Sequence, residues 1–276
     1  MSLNEKQFLS LNDLLATTGQ EIVMHHFRHL PRGGVRTKSS ASDLVTIADE
    51  EAETAITAEI QKRFPTAFIV GEEAASANPS IIEALRDTEL GFVIDPIDGT
   101  ANYAAGLPLF GIMLAVVAHG ETIAAIIHDP VCQTSSMAMR GAGAIERDAH
   151  GNEAPLKVAP PPANFESLRG MASWRFADPI RRAQILKNLP RITSSWDHRC
   201  AAHEYRALIT ANSDFVFFNR LMPWDHLPGV LLHQESGGAH RRLDGSPYRP
   251  GETRGGLIAA ADRETCDLIH QEFFKS

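Results

Sequence analysis

The chain has 276 residues, long enough to bury a sizeable core as one large domain or two tightly joined ones. Its 26 Lys and Arg against 34 Asp and Glu leave a net charge of −8, which excludes a nucleic-acid backbone as the main partner. No apolar stretch approaches the roughly 18 residues that span a bilayer, and Met1 to Leu15 lacks a basic segment followed by an apolar run, so a cytoplasmic protein without a membrane partner is expected.

Apolar residues from Phe8 to Phe27 recur at helical spacing, which predicts a helix over Asn4 to His29. Pro31-Arg32-Gly33-Gly34 ends it, and Val35 to Ser42 reads as a mostly polar loop. A second helix is expected over Ile47 to Phe64, with Ala52, Ala55, Ile56, Ile60 and Phe64 on one face. Phe68-Ile69-Val70 and Phe92-Val93-Ile94 read as short buried strands that deliver Gly71-Glu72-Glu73 and Asp95 at their carboxyl ends. Leu109 to Ile145, rich in Val, Ile and Ala, reads as a strand meander with turns at His119-Gly120 and Asp129-Pro130. Pro160-Pro161-Pro162 is the most linker-like stretch. It separates residues 1–158, which carry the metal and phosphate motifs, from residues 159–276, the two halves forming one compact unit. Helices near Pro179 to Leu189, Ala201 to Thr210 and Asp225 to Glu235, strands at Phe215 to Phe218 and Leu257 to Ala260, and a terminal helix complete a layered α/β or α+β chain.

The chemistry centres on Asp95-Pro96-Ile97-Asp98-Gly99-Thr100. A carboxylate at the end of an apolar strand emerges where layered α/β folds place ligands. Pro96 is expected to stop the ladder, and Gly99 allows a reversal that points Asp98 back at Asp95. Two such carboxylates repel unless a cation lies between them, and hard oxygen ligands favour Mg²⁺ or Mn²⁺ over Zn²⁺. Thr100 to Tyr103 can begin a helix whose free N–H groups hold a phosphate oxygen. Taken alone, Asp-Pro and Asp-Gly are also ordinary turn residues. Three further acids accompany them: Glu72 after a buried strand, Asp225 where an apolar helix opens, and Asp49 in a first helical turn. Each has a capping role as its plain alternative. The cysteines Cys132, Cys200 and Cys266 form no paired pattern and read as buried or half-buried free thiols.

These residues resemble the inositol monophosphatase family. The resemblance rests on Gly71-Glu72-Glu73, on Ile94 to Thr100, and on Trp224-Asp225 followed by Glu235-Ser236-Gly237-Gly238. Lys38-Ser39-Ser40 and Asp43 to Asp49 add the amino-terminal pattern, so the match runs from Lys38 to Gly238. It implies an αβαβα sandwich assembled as a homodimer, hydrolysing a small phosphorylated metabolite with two or three Mg²⁺ ions. It places Glu72, Asp95 and the Ile97 carbonyl around one ion, Asp95, Asp98 and Asp225 around a second, and a looser third near Glu72. It assigns Asp49 and Thr100 to orienting and deprotonating the attacking water, and the N–H groups of Gly99 and Thr100 to the phosphate.

The sequence departs from the family around the substrate. Arg199-Cys200-Ala201-Ala202 stands where the substrate helix usually opens on a Gly-Thr or Gly-Ser pair, and Phe218 stands near the position of a substrate-binding acid. Leu227 and Pro228 replace small residues beside Asp225. An apolar ring leaves polyol hydroxyls unsatisfied, whereas Arg199 suits an additional anion, or is simply solvated. Histidinol phosphate, a bisphosphate sugar or a bisphosphonucleotide are therefore alternatives to inositol phosphate. The residues also admit a zinc site from His198, Cys200, His203 and Glu204, and a non-catalytic metal-binding regulatory protein of the same fold.

Overall fold

The structure is a computed structural model that describes residues 3–38 and 44–274; Ser39, Ser40 and Asp43 of the amino-terminal pattern lie outside the described residues. Helix α1 (Glu5–Thr18) opens on a capping box, in which Asn4 Oδ1 accepts the Gln7 N–H and Gln7 Oε1 accepts the Asn4 N–H. One π-helical turn (Gly19–Val23) and the short α2 (Met24–His26) follow, so the expected helical run is present with its register broken at Gly19. Val35 to Thr37 is not loop: β1 (Val35–Thr37) pairs antiparallel with β2 (Leu44–Thr46). The chain continues through α3 (Ile47–Arg63), β3 (Phe68–Gly71), α4 (Glu72–Ala77), β4 (Gly91–Asp98) and α5 (Thr100–Ala104). The meander is β5 (Gly111–Ala118), β6 (Glu121–Asp129), β7 (Thr134–Met139), β8 (Ala144–Arg147) and β9 (Glu153–Pro155). Beyond Pro160-Pro161-Pro162 come β10 (Arg169–Ala172), α6 (Pro179–Asn188), β11 (Ser194–Ser195), α7 (Ala201–Ile209) and β12 (Phe215–Phe218). The last elements are α8 (Pro223–Glu235), β13 (Ala239–Arg242), β14 (Leu257–Ala260) and α9 (Arg263–Phe274).

Two sheets result. The larger runs β3-β4-β5-β6-β7-β8-β9, antiparallel apart from the parallel β3/β4 pair, and the smaller runs β11-β10-β12-β14-β13 with β11, β10 and β12 parallel. The pleat sorts side chains into layers. Phe92, Ile94, Ile112 and Leu114 face a core shared with Leu11, Leu15, Ile56 and Ile60 of α1 and α3. Their neighbours Val93, Met113 and Ala115 face the opposite way, into a core with Tyr205, Leu208, Leu231 and Leu232 of α7 and α8. In the smaller sheet Val216 and Leu257 join that middle core, while Phe215, Phe217 and Ile258 turn outward onto Ile185, Ile269 and Phe273 of α6 and α9. The order is helix, sheet, helix, sheet, helix, the αβαβα sandwich expected. Among the described residues no helix is long and apolar enough to cross a membrane. Cys200 and Cys266 are buried free thiols, but Cys132 is exposed, because it sits in the Asp129–Thr134 turn rather than on a strand.

Candidate active site

The carboxyl ends of β4, β10 and β12 and the starts of α4, α5, α7 and α8 converge on one cleft of about 140 Å³. β4 does not stop at Pro96, as the sequence had implied. It runs on to Asp98 with a register shift against β5 between Asp95 and Asp98. That irregularity spares the missing Pro96 N–H a ladder partner and brings both acids into the cleft. Gly99 then takes φ 90°, and a Cβ there would lie 2.8 Å from the Leu109 carbonyl oxygen, so the reversal needs glycine. Asp225 is not the N-cap of α8. Met222 holds that position, Pro223 is the first helical residue, and Asp225, third in the same first turn, lines the cleft.

Asp95, Asp98 and Asp225 each present a carboxylate oxygen within 4.8 Å of the others. Asp95 is buried, and burial together with Glu72, Asp98 and Asp225 pushes its carboxyl well above the usual carboxylate range. Burial and Asp98 push Asp225 up to about 8. Asp98 rises to about 6, held lower by hydrogen bonds: its Oδ2 accepts the Ala202 N–H at 2.5 Å and the Cys200 thiol at 3.1 Å. Three acids in this state are short of positive charge, and an all-oxygen donor set fits a hard divalent ion. Glu72, the first residue of α4, lines the same cleft but stands outside this trio. Lys38 Nζ lies 3.0 Å from its Oε1 and 2.6 Å from Glu73 Oε1.

Asp49 and Thr100 meet across the chain. Thr100 Oγ1 donates toward Asp49 Oδ1 at 3.2 Å and toward the Ile97 carbonyl at 3.0 Å. Asp49 Oδ2 accepts the Thr46 hydroxyl at 2.5 Å and the Thr46 N–H at 2.9 Å, so the buried acid closes the cap of α3 and reaches the cleft only through Thr100. Burial is the main cause that lifts its carboxyl to about 7, against those hydrogen bonds.

The substrate-side residues singled out in the sequence, Arg199, Cys200, Ala201 and Phe218, all line the cleft with Gly99 and Thr100. Phe218 is not free to turn away; its ring packs on Tyr205 and on His226, with centroids 5.2 and 4.5 Å apart. The zinc reading does not assemble: Cys200 bonds Asp98, while His203 Nε2 faces the Phe110 carbonyl at 3.1 Å. Sequence reasoning missed Arg175, Phe176, Asn219 and Arg220, which also line the cleft. Arg220 was within reach, two residues beyond a recognised strand; Arg175 was not, because β10 is short and carries Gly170.

Fold and site together define a layered αβαβα protein with a partly buried carboxylate centre built from the end of β4 and the start of α8. The chain belongs to the inositol monophosphatase family, whose model matches residues 4–275. It is 32% identical over 211 residues to the Nus factor SuhB of Vibrio cholerae, covering 73% of this chain and 72% of that protein. It is 30% identical over 219 residues to the inositol-1-monophosphatase of Bacillus subtilis, covering 78% of each. The solved structure of a Thermotoga maritima IMPase superposes with a TM-score of 0.77 at 26% identity, covering 98% of this chain and 95% of that one.

Proposed function

We propose that the protein is a Mg²⁺-dependent phosphomonoesterase that hydrolyses a small phosphorylated metabolite by direct attack of water. The observation that carries this reading is the convergence of Asp95, Asp98 and Asp225 within 4.8 Å, beside a Thr100–Asp49 hydrogen bond. Asp95, Asp98 and Asp225 would hold one Mg²⁺, and Asp95, Glu72 and the Ile97 carbonyl another, with Mn²⁺ a chemically equivalent substitute. Bound there, the ions supply Lewis acidity toward the phosphoryl oxygens and lower the pKa of water.

The chain's own groups do the rest. Thr100 Oγ1 orients the water and takes its proton while passing its own to Asp49, which accepts it at Oδ1. The N–H groups of Gly99 and Thr100, at the left-handed turn that opens α5 and lining the cleft, are the phosphate donors. No side chain needs to be phosphorylated. Family membership supports the homodimer expected from the sequence.

The relative named Nus factor SuhB favours a second reading, a regulatory role on the same fold. One experiment separates the two. Phosphate release from a phosphomonoester panel should require Mg²⁺ and fall at least about 1,000-fold in Asp95→Asn, which stays folded. Turnover retained in that variant, or absent from the wild type with every substrate, sinks the enzymatic reading.

A further inference from the structure

Three parallel strands of the smaller sheet each deliver one arginine to the same cleft. β11 leads to Arg199, β10 to Arg175 and β12 to Arg220. The carboxyl ends of parallel strands are where such folds present groups to a ligand.

The arginines are held in place by the structure around them. Asn219 Nδ2 donates to the Ser173 carbonyl at 2.6 Å, tying together the two loops that follow β10 and β12. His226 Nε2 faces the Arg220 carbonyl at 2.8 Å, and the Arg199 guanidinium donates to Asn102 Oδ1 at 2.8 Å. Phe176 takes φ 58°, an uncommon left-handed conformation for an aromatic residue. Its ring carries two guanidiniums, Arg220 4.1 Å and Arg175 5.3 Å from the centroid. Contact with a ring uses the face of a guanidinium and leaves its N–H edge free for a ligand.

Charge points the same way. Among the described residues, none of the three arginines has a carboxylate within 4.0 Å, whereas the neighbouring Arg206 is locked to Asp129 and Glu146. Three carboxylates of the cleft come near them: Glu204 lies within electrostatic reach of Arg175 and Asp225 within reach of Arg220, but neither closes to an ion pair, and Asp197 Oδ1 accepts only the Arg199 backbone N–H. A neutral polyol would find the apolar Phe218 ring at the end of β12.

We propose that Arg175 and Arg220, with Arg199 as a third cation, bind a second anionic group on the leaving portion of the substrate. The substrate is then a phosphomonoester that also carries a carboxylate or a second phosphate. This rests on the phosphomonoesterase reading above.

Two matched pairs test it: glycerol 3-phosphate against 3-phosphoglycerate, and fructose 1-phosphate against fructose 1,6-bisphosphate. Turnover is measured with Mg²⁺, and binding by calorimetry with Ca²⁺ in its place. In at least one pair the doubly anionic compound should show a KM at least about tenfold lower and proportionately tighter binding. The pair that responds identifies the group. R175Q/R220Q should bring that ratio to within about twofold of one; should the double variant not fold, R220Q, at an exposed position, carries the test. R182Q, whose guanidinium lies over Trp174, should keep the wild-type ratio. A ratio near one in the wild type for both pairs, a ratio retained without the two arginines, or an equal loss in R182Q would overturn the proposal. Binding preference without any turnover instead overturns the phosphomonoesterase reading and leaves the subsite standing; turnover without preference does the reverse.

Discussion

Thr100 donates to two acceptors with one proton, so its hydroxyl is held between Asp49 and the Ile97 carbonyl rather than pointing at random into the cleft. Thr100→Val keeps the shape and removes the relay. The expected result is a kcat at least about 100-fold lower with KM nearly unchanged, since the loss falls on proton transfer. A kcat within threefold of the wild type would remove Thr100 from the mechanism. The acids around it were legible because they are contiguous or lie at strand ends. Asp95, Asp98 and Thr100 fall within six residues, and Glu72 follows a recognisable strand. The supporting contacts were not legible. The Cys200 thiol reaches Asp98 across 102 positions, and Arg220 comes to the Phe176 ring beside Arg175 only through the pairing of β10 with β12. Nothing in local spacing encodes such a meeting.

At the scale of elements, the six-residue α4 is too short to stand on propensity. Its first turn is capped from another helix: the Glu53 carboxylate of α3 accepts the N–H groups of Glu73 at 2.8 Å and Ala74 at 3.0 Å. Gly71 makes room for this, because a Cβ there would lie 2.2 to 2.4 Å from the Glu53 carboxyl atoms. Gly71→Ala should therefore cost about 2–3 kcal/mol, from overpacking plus the displaced cap, measured by urea unfolding. Glu53→Gln, which keeps the shape and weakens the cap, should cost about 1 kcal/mol. If Gly71→Ala unfolds at the wild-type urea concentration, the carboxylate is not fixed where the cap requires it. The same locality explains which elements the sequence revealed. α3, α8, β4 and the meander declare themselves by long apolar patterns. The strands β10, β11 and β13 do not, being two to four residues long with Gly170, two serines or two arginines in them. Their strand character comes from neighbours that no short window contains.

For the whole molecule, α8 is the shared layer, packed on β4 to β7 of the larger sheet and on α7. His233 lies in it fully buried, and among the described residues neither ring nitrogen has a hydrogen-bond partner. Burial lowers its pKa to about 3, with His240 adding to the effect. The unfolded chain, with a histidine pKa of about 6.5, then binds a proton that the folded chain refuses. The sign follows: stability from this residue is complete above pH 6.5 and is lost as pH falls toward 3. His226, also lowered to about 3, acts in the same sense, whereas Asp49 and Asp225, raised to about 7 and 8, act in the opposite one. Acid sensitivity of the wild type alone therefore cannot isolate His233, but a comparison with His233→Leu can. Between pH 7 and pH 5 the wild type should lose about 2 kcal/mol relative to the variant, whatever their offset at pH 7. Urea unfolding of both proteins at half-unit steps of pH, without divalent metal, measures the difference. Two curves that stay parallel across that window would mean that His233 finds a proton partner in the folded state, and that the middle layer is less dry than its packing implies.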